Sequence, residues 1–232
     1  MGTAAAYDDI ADWYETEFLS AQAGSDPIGV RAALRELLGT GSGVCLEVGC
    51  GTGTHAAQVR AQGWTPVGVD LSGRMLAYAA GRLPVARADV ARLPVRDASV
   101  PAVAAVMVHT DMAAYPRVLR EVARVLRPGG VFVHVGVHPC FCGGFADRTA
   151  PDAVVIRPGY LDGHWTTESW TDAGVRARVG AHHWPLAGLL AMFGDAGLIP
   201  EAFHEGGSPT PTTFSVRLGR PLPGLRDHTA RP

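Results

Sequence analysis

The sequence contains no lysine, since all 20 of its basic residues are arginine. Catalysis through a lysine Schiff base or a lysine general base is therefore excluded. The formal net charge is only −2, so the composition gives no sign of a nucleic-acid partner. No apolar run reaches the roughly 18 residues that a membrane span requires.

Signals for export are also missing. The first ten residues lack the basic segment of a signal peptide, so we expect a cytoplasmic protein whose four cysteines are reduced thiols. A chain of 232 residues with 47% hydrophobic residues can bury one good core. The abundance of alanine, glycine, proline and arginine suggests a GC-rich coding genome, and a bacterial source is the expectation that goes with it.

A glycine-rich segment at residues 46–55, LEVGCGTGTH, organises the chain. It joins the end of a short buried strand to the start of a helix through a tight turn. Glycine is needed where the backbone has φ > 0 or where a ligand must approach the main chain. A dinucleotide fingerprint would read G-x-G-x-x-G. Here the third glycine comes one residue early, as Gly53, and position 54 is threonine.

This spacing resembles motif I of the class I S-adenosylmethionine-dependent methyltransferases, and in particular the UbiE-like small-molecule enzymes. The likeness is close over about residues 40–137 and looser towards the C-terminus. It implies S-adenosylmethionine as cofactor. It also implies that Glu47 organises the turn and the methionine amino group, and that Gly49, Gly51 and Gly53 let the backbone approach the methionine. A generic glycine-rich turn is the alternative for this motif alone.

A second acidic position follows at the end of the strand predicted over residues 65–70. Asp70 lies at the carboxyl end of that strand, where open parallel sheets bind ligands. A carboxylate there can accept hydrogen bonds from both hydroxyls of a ribose. Ser72 is expected to cap the next helix. The resemblance covers the stretch DLSGRML and implies that Leu71 and Met75 lie near the cofactor, with ordinary core packing weighed about equally for Met75.

A third acidic position ends the strand predicted over residues 84–89. Asp89 and Val90 match the family positions that recognise adenine, the carboxylate taking the exocyclic amine and the backbone N–H meeting a ring nitrogen. The stretch DVARLPVRDAS continues the likeness, although Pro101 stands where the family usually has an aspartate. Three matches in the expected order strengthen the resemblance.

The run over residues 102–108 is apolar almost throughout, as expected for a central parallel strand covered on both faces. The resemblance implies that Val106 and Met107 line the cofactor. His109 follows at the strand's carboxyl end and is our candidate general base, with a merely packed histidine as the alternative. Asp111 is expected to cap the helix that starts near Met112 rather than to do chemistry.

Aromatic and histidine residues supply the candidates for the acceptor site. A helix over residues 7–22 lies across the cofactor cleft in the family, which makes Tyr7 and Tyr14 candidates. A long segment over about residues 138–183 is expected to form a substrate lid, since such insertions lie at the carboxyl edge of the sheet. Its candidates are Tyr160, His164, Trp165, Trp170, His182 and His183, together with His138 as a second catalytic candidate; loop packing is the alternative for each aromatic.

The sequence also contains a cluster of residues that could bind a metal ion. His134 and His138 fall on one strand face, and Cys140 and Cys142 follow closely. Histidine and cysteine are zinc ligands, but C-x-C lacks the usual spacer of two to four residues. Reduced thiols and a loop histidine are the favoured interpretation.

The expected architecture is a Rossmann-like, mostly parallel sheet of seven strands with helices on both faces and an antiparallel last strand. We predict one methyltransferase domain over residues 1–220, with N-terminal lid helices at 5–40, and a flexible tail at 221–232. The resemblance implies methyl transfer to a small-molecule acceptor, oxygen or carbon favoured, in secondary metabolism. A non-methylating use of the cofactor, such as cyclisation, is the alternative. A homodimer is the oligomer considered; no nucleic-acid or membrane partner is expected.

Overall fold

A seven-stranded sheet forms the centre of the protein. The computed structural model describes residues 5–22, 24–150, 152–168 and 174–224. The strands of the main sheet lie in the order β10-β11-β5-β4-β1-β2-β3. Their bounds are β1 Val44–Val48, β2 Thr65–Asp70, β3 Val85–Arg87, β4 Val100–Val106, β5 Leu126–Val137, β10 Ile199–Gly206 and β11 Thr213–Gly219. Two small antiparallel pairs complete the strands: β6 Ala146–Asp147 with β7 Val155–Ile156, and β8 Trp165–Thr166 with β9 Ala181–His182.

Helices cover both faces of this sheet. They are α1 Ala11–Trp13, α2 Leu19–Ala21, α3 Val30–Leu38, α4 Ala56–Ala61, α5 Gly73–Ala79, α6 Tyr115–Val125, α7 Val175–Val179 and α8 Leu186–Asp195. A π-helical turn, Tyr14–Phe18, joins α1 to α2. Among the described residues, no helix is both long and apolar enough to cross a bilayer.

The sheet has the predicted topology. Strands β1 to β5 pair in parallel, while β11 runs antiparallel to both β5 and β10. The first six residues of β4 are all buried, as its apolar run predicted. The helix α6 presents Val118, Leu119, Val122 and Val125 to the core, which explains its strong amphipathic pattern. The predicted fold class is confirmed.

Helix α3 shows how local sequence sets an element. The carboxylate oxygens of Asp26 accept the backbone N–H groups of Arg31 and Ala32, at 3.1 and 2.9 Å. These bonds satisfy donors of the first helical turn, which have no partner within the helix. At the other end Gly39 adopts φ +64° and ends the helix. Asp26 thus supports the start of this helix, and Gly39 marks its end.

Several boundaries differ from the predictions. The third strand, predicted over residues 84–89, is only three residues long. Strand β5 begins at Leu126, directly after α6, with no intervening loop. Asp111 does not cap α6: the helix starts at Tyr115, its N-cap position is Ala114, and no side chain bonds its free amides. The tail predicted over residues 221–232 lies outside the described residues from 225 onwards.

Candidate functional site

A cavity of about 290 Å³ lies at the carboxyl ends of β1, β2 and β4, beneath the N-terminal segment. Ten of the eleven predicted cofactor residues line it: Glu47, Gly49, Gly51, Asp70, Leu71, Met75, Asp89, Val90, Val106 and Met107. Gly53 does not line this cavity; a Cβ there would lie 2.5 Å from Leu83 Cδ2, so this glycine permits close packing of the turn against α5. The three predicted acidic residues therefore meet along one elongated space.

Asp70 ties the glycine turn to the neighbouring strand. One carboxylate oxygen accepts the N–H of Gly51 and the other accepts the N–H of Ser72, each at 2.8 Å. Burial raises the pKa of Asp70, and these backbone hydrogen bonds oppose the rise. Ser72 caps α5 by accepting the N–H of Met75, as predicted. Asp70 thus shapes the turn and still borders the cavity.

Glu47 is a buried carboxyl group whose side chain is 4% exposed. Its Oε1 has no hydrogen-bond partner within the described part of the chain. Burial raises the pKa of this carboxyl to about 7, a rise that Arg60 partly opposes. A buried carboxylate without a partner is costly, so the site gains from a cation or donor that enters the cavity. The residues present fit an amino group at this position.

The adenine candidates line the same cavity. Val90 is 5% exposed and Met75 is 1% exposed, whereas Asp89 lies at the surface of the cavity. The Oδ1 of Asp89 accepts the N–H of Ala91 at 2.8 Å and caps a single 3-10 turn, Val90–Arg92. An apolar, partly enclosed slot with one carboxylate at its edge suits a purine ring.

Tyr7 and Tyr14 close the cavity from above. Both line it, and their rings meet edge to face with centroids 6.2 Å apart. Burial is the main cause that raises the pKa of each phenol, and the nearby carboxylate of Asp111 raises both further. Asp111 also lines the cavity, although its sequence position suggested only a cap. Its place just after the carboxyl end of β4 is the signal that could have identified it.

His109 does not line the cavity. Its side chain is 2% exposed, and its ring packs 4.9 Å from the ring of His134 and 6.0 Å from that of Tyr115. Burial, together with the neighbouring His134, holds the pKa of His109 well below its ordinary value. The tyrosine hydroxyl bonds Nδ1 of His134 at 2.7 Å. These three side chains form a polar cluster inside the core.

Most candidates from the insertion also lie away from the cavity. The Nε2 of His138 contacts Glu205 at 2.7 Å, and its Nδ1 accepts the N–H of Cys140. The Nε2 of His183 contacts the carbonyl oxygen of Tyr160 at 2.6 Å, and the Tyr160 hydroxyl accepts the N–H of Leu186. His182 packs on Trp184, with ring centroids 4.0 Å apart. These four residues organise the insertion itself.

Trp165 is the exception among the insertion candidates. It lines the cavity together with Val179 and Gly180 of the same segment, so the insertion does cover part of the site. His164 is exposed and its Nδ1 contacts the carbonyl oxygen of Asp162. Trp170 lies outside the described residues. In the part of the chain that is described, no three His, Cys, Asp or Glu side chains are arranged to hold a metal ion.

A second cavity, of about 640 Å³, adjoins the first. It lies between the N-terminal segment, α3 and α4, and the two cavities share Tyr14, Thr54, His55 and Met107. Nδ1 of His55 has no hydrogen-bond partner among the described residues. Burial lowers the pKa of His55 to about 4, aided by Arg31 and opposed by Asp26. A neutral imidazole therefore stands where the two spaces meet.

Comparison with known proteins agrees with this geometry. Residues 46–134 match a family model described as a methyltransferase domain. The chain is 33% identical over 132 residues to the demethylmenaquinone methyltransferase of Mycolicibacterium paratuberculosis, covering 56% of this chain and 57% of that protein. The chain spans less than two thirds of the length of the curated relatives it matches.

Solved structures share the whole fold. An S-adenosylmethionine-dependent methyltransferase from Mesorhizobium loti superposes with a TM-score of 0.64 at 24% identity, covering 83% of this chain and 96% of that one. The [4+2]-cyclase SpnF superposes with the same TM-score at 18% identity, covering 94% and 98%. At these identities the likeness concerns the fold alone.

Proposed function

Because the chain carries a methyltransferase domain of the class I S-adenosylmethionine-dependent family, we propose that the protein transfers a methyl group from S-adenosylmethionine to a small-molecule acceptor. Oxygen or carbon is the favoured acceptor atom. The observation that carries this proposal is the single cavity in which Glu47, Asp70 and Asp89 meet along three adjacent strand ends. A cytoplasmic enzyme of bacterial secondary metabolism is part of the proposal and rests on composition. The proposal also includes a homodimer, which a measurement of the oligomeric state in solution tests.

The residues of the first cavity have complementary tasks in this proposal. Glu47 receives the ammonium group of the cofactor, Asp70 receives the ribose hydroxyls, and Asp89 with the Val90 backbone receives the adenine edge. When bound, S-adenosylmethionine supplies an activated methyl group on a positively charged sulfur. The protein then gains most of its rate by holding the acceptor in line with that methyl group.

The second cavity is the proposed acceptor site, because it adjoins the first and offers apolar contacts from Phe18, Leu19, Ile28 and Val30 among charged side chains. His55 lines both cavities. With a pKa of about 4, His55 is neutral at pH 7, so its imidazole has a lone pair that can accept a proton from a hydroxyl acceptor. We therefore propose His55 as the base, in place of His109, which lies in the core.

The alternative function is a non-methylating reaction on the same fold, as the name of the [4+2]-cyclase SpnF illustrates for that protein. Fold does not determine function. Product analysis separates these reactions. Methyl transfer yields S-adenosylhomocysteine, displacement within the cofactor's own chain yields methylthioadenosine, and cyclisation of another substrate consumes no cofactor.

The experiment that tests the proposal is calorimetric titration with S-adenosylhomocysteine and, in parallel, with NAD. We expect binding of the first ligand only. Asp70→Ala should weaken it by about 1.5–3 kcal/mol, the range for charge-assisted hydrogen bonds, or roughly 10- to 150-fold in Kd. Asp97→Ala is the matched control, because Asp97 is 77% exposed and pairs with Arg124 on the surface. Unchanged affinity in Asp70→Ala would contradict the ribose assignment.

A further inference from the structure

Asp111 lies in an unexpected setting. It ends the 3-10 turn His109–Asp111 after β4, and its half-buried side chain lines the cofactor cavity close to Tyr7. Its carboxylate does not cap a helix, because α6 begins four residues later. The carboxyl group therefore borders the cavity and does not perform the capping role that the sequence suggested.

The charged and polar groups around Asp111 come from five elements. Tyr7 and Thr110 hydrogen-bond its carboxylate, while Asp70 on β2 repels it. Arg176 on α7 attracts it, and Tyr14 lies close above. Burial is the largest influence and raises the pKa of Asp111 to about 7 despite the hydrogen bond from Tyr7. Enclosed in this way, the carboxylate is stabilised by any further positive charge that enters the cavity.

The proposed cofactor carries two positive centres, an ammonium group and a sulfonium group. Only the sulfonium is lost in the demethylated product, which is a neutral thioether. Glu47 on β1 and Asp111 after β4 occupy different strand ends of the same cavity. Resting on the proposed function, we propose that Asp111 is the counter-charge to the sulfonium, so that this cavity prefers the cationic methyl donor over its thioether product.

A proton linkage follows from this assignment. The donor binds the ionised form of Asp111, so donor binding releases a proton that product binding does not release. With a free-state pKa of about 7, the ionised fraction rises from about 0.1 at pH 6 to about 0.9 at pH 8. The preference for donor over product should therefore increase about tenfold across that interval.

Calorimetry tests this without knowledge of the acceptor. S-adenosylmethionine and S-adenosylhomocysteine are titrated at pH 6, 7 and 8, in buffers of different ionisation enthalpy that report proton release. In the wild type we expect greater release with the donor. In Asp111→Asn that difference should vanish, and the donor-to-product preference should become independent of pH.

Two matched variants sharpen the result. Glu47→Gln should reduce proton release equally for both ligands, since both carry the ammonium group, and should leave their difference intact. Tyr7→Phe removes the hydrogen bond that lowers the pKa of Asp111, so the pH dependence should persist with its midpoint moved to higher pH.

The outcomes are separable. Equal proton release for donor and product in the wild type, with a preference that does not change with pH, overturns the role of Asp111 and leaves the proposed function standing. Wild-type behaviour of Asp111→Asn also overturns it. Absence of binding by either ligand removes the proposed function, and the inference with it. If Asp111→Asn does not fold, the wild-type and Tyr7→Phe titrations decide.

Discussion

Gly51 and Gly53 share a left-handed backbone, with φ of +53° and +75°, but differ in what surrounds them. A Cβ at Gly51 meets no protein atom within 4 Å and projects at the cavity lining, whereas a Cβ at Gly53 meets Leu83 at 2.5 Å. Either alanine costs about 1–2 kcal/mol of backbone strain. We expect Gly51→Ala to lose cofactor affinity at least tenfold, and Gly53→Ala to lose mainly stability.

Parallel thermal unfolding and titration with S-adenosylhomocysteine check this pair. Each variant is the control for the other, because both carry the same substitution two residues apart. An equal loss of affinity in both, after correction for the folded fraction, would show that the cofactor does not pass Gly51.

Burial of His134 predicts a pH dependence of stability. Burial lowers the pKa of His134 to about 3, from an ordinary 6.5. The unfolded chain gains a proton at this side chain below pH 6.5 and the folded chain does not, so its contribution to stability falls as the pH is lowered towards 3. Relative to His134→Gln, the wild type should lose roughly 2 kcal/mol between pH 7 and pH 5.

Urea unfolding at the two pH values measures that difference, and titrating groups distant from His134 cancel between wild type and variant. His164→Gln is the matched control, because His164 is exposed. A wild-type-minus-variant difference that is constant with pH would contradict the buried, neutral state of His134.

Individual residues also show where sequence reasoning succeeds. Ser72 was identified with its role as a helix cap, because that role depends on local spacing along one helix. Asp70 was identified as a residue at a strand end, but its hydrogen bond to the glycine turn was not predicted. The base could not be placed in this way. Whether His109 or His55 faces the ligand depends on side-chain direction and on packing from distant elements such as β5 and α3.

Among the elements, the insertion is the one that pattern reasoning described least. Its two short strand pairs carry no alternating hydrophobic pattern. Several of its aromatic side chains pack against one another and not against the cavity. The parallel strands were predictable because burial on both faces leaves a continuous apolar run, and α6 was predictable because amphipathic spacing leaves a helical period. Their ends were less predictable, as the early start of β5 shows.

Trp165 allows a test of whether the insertion covers the cofactor cavity. It pairs through β8 with β9, is 46% exposed and lines the cofactor cavity. Ligand binding should change the fluorescence of Trp165, and Trp165→Phe should remove most of that change. The same substitution should weaken the binding of S-adenosylhomocysteine by less than about tenfold, as expected for one partly exposed aromatic contact. Trp64→Phe is the control, because Trp64 is buried and donates to the Gly39 carbonyl.

The molecule as a whole should respond to its cofactor through mass action. Ligand at 100 times its Kd stabilises the folded state by about 2.7 kcal/mol. For a chain of this size that corresponds to a rise in Tm of roughly 5–10 °C. Scanning fluorimetry with S-adenosylhomocysteine should show this rise in the wild type and a much smaller one in Asp70→Ala at the same concentration. NAD should produce none.

The two adjoining cavities are built from different parts of the chain. Strand ends line the proposed donor cavity, whereas the N-terminal segment and α3 line most of the other. Among the residues that the structure describes, Tyr14, Thr54, His55 and Met107 belong to both. Substitutions in the helical segments can therefore retune which compound is modified while the affinity for the methyl source is preserved. Directed evolution of new products from this scaffold should concentrate on residues 18–31 and leave the strand ends untouched.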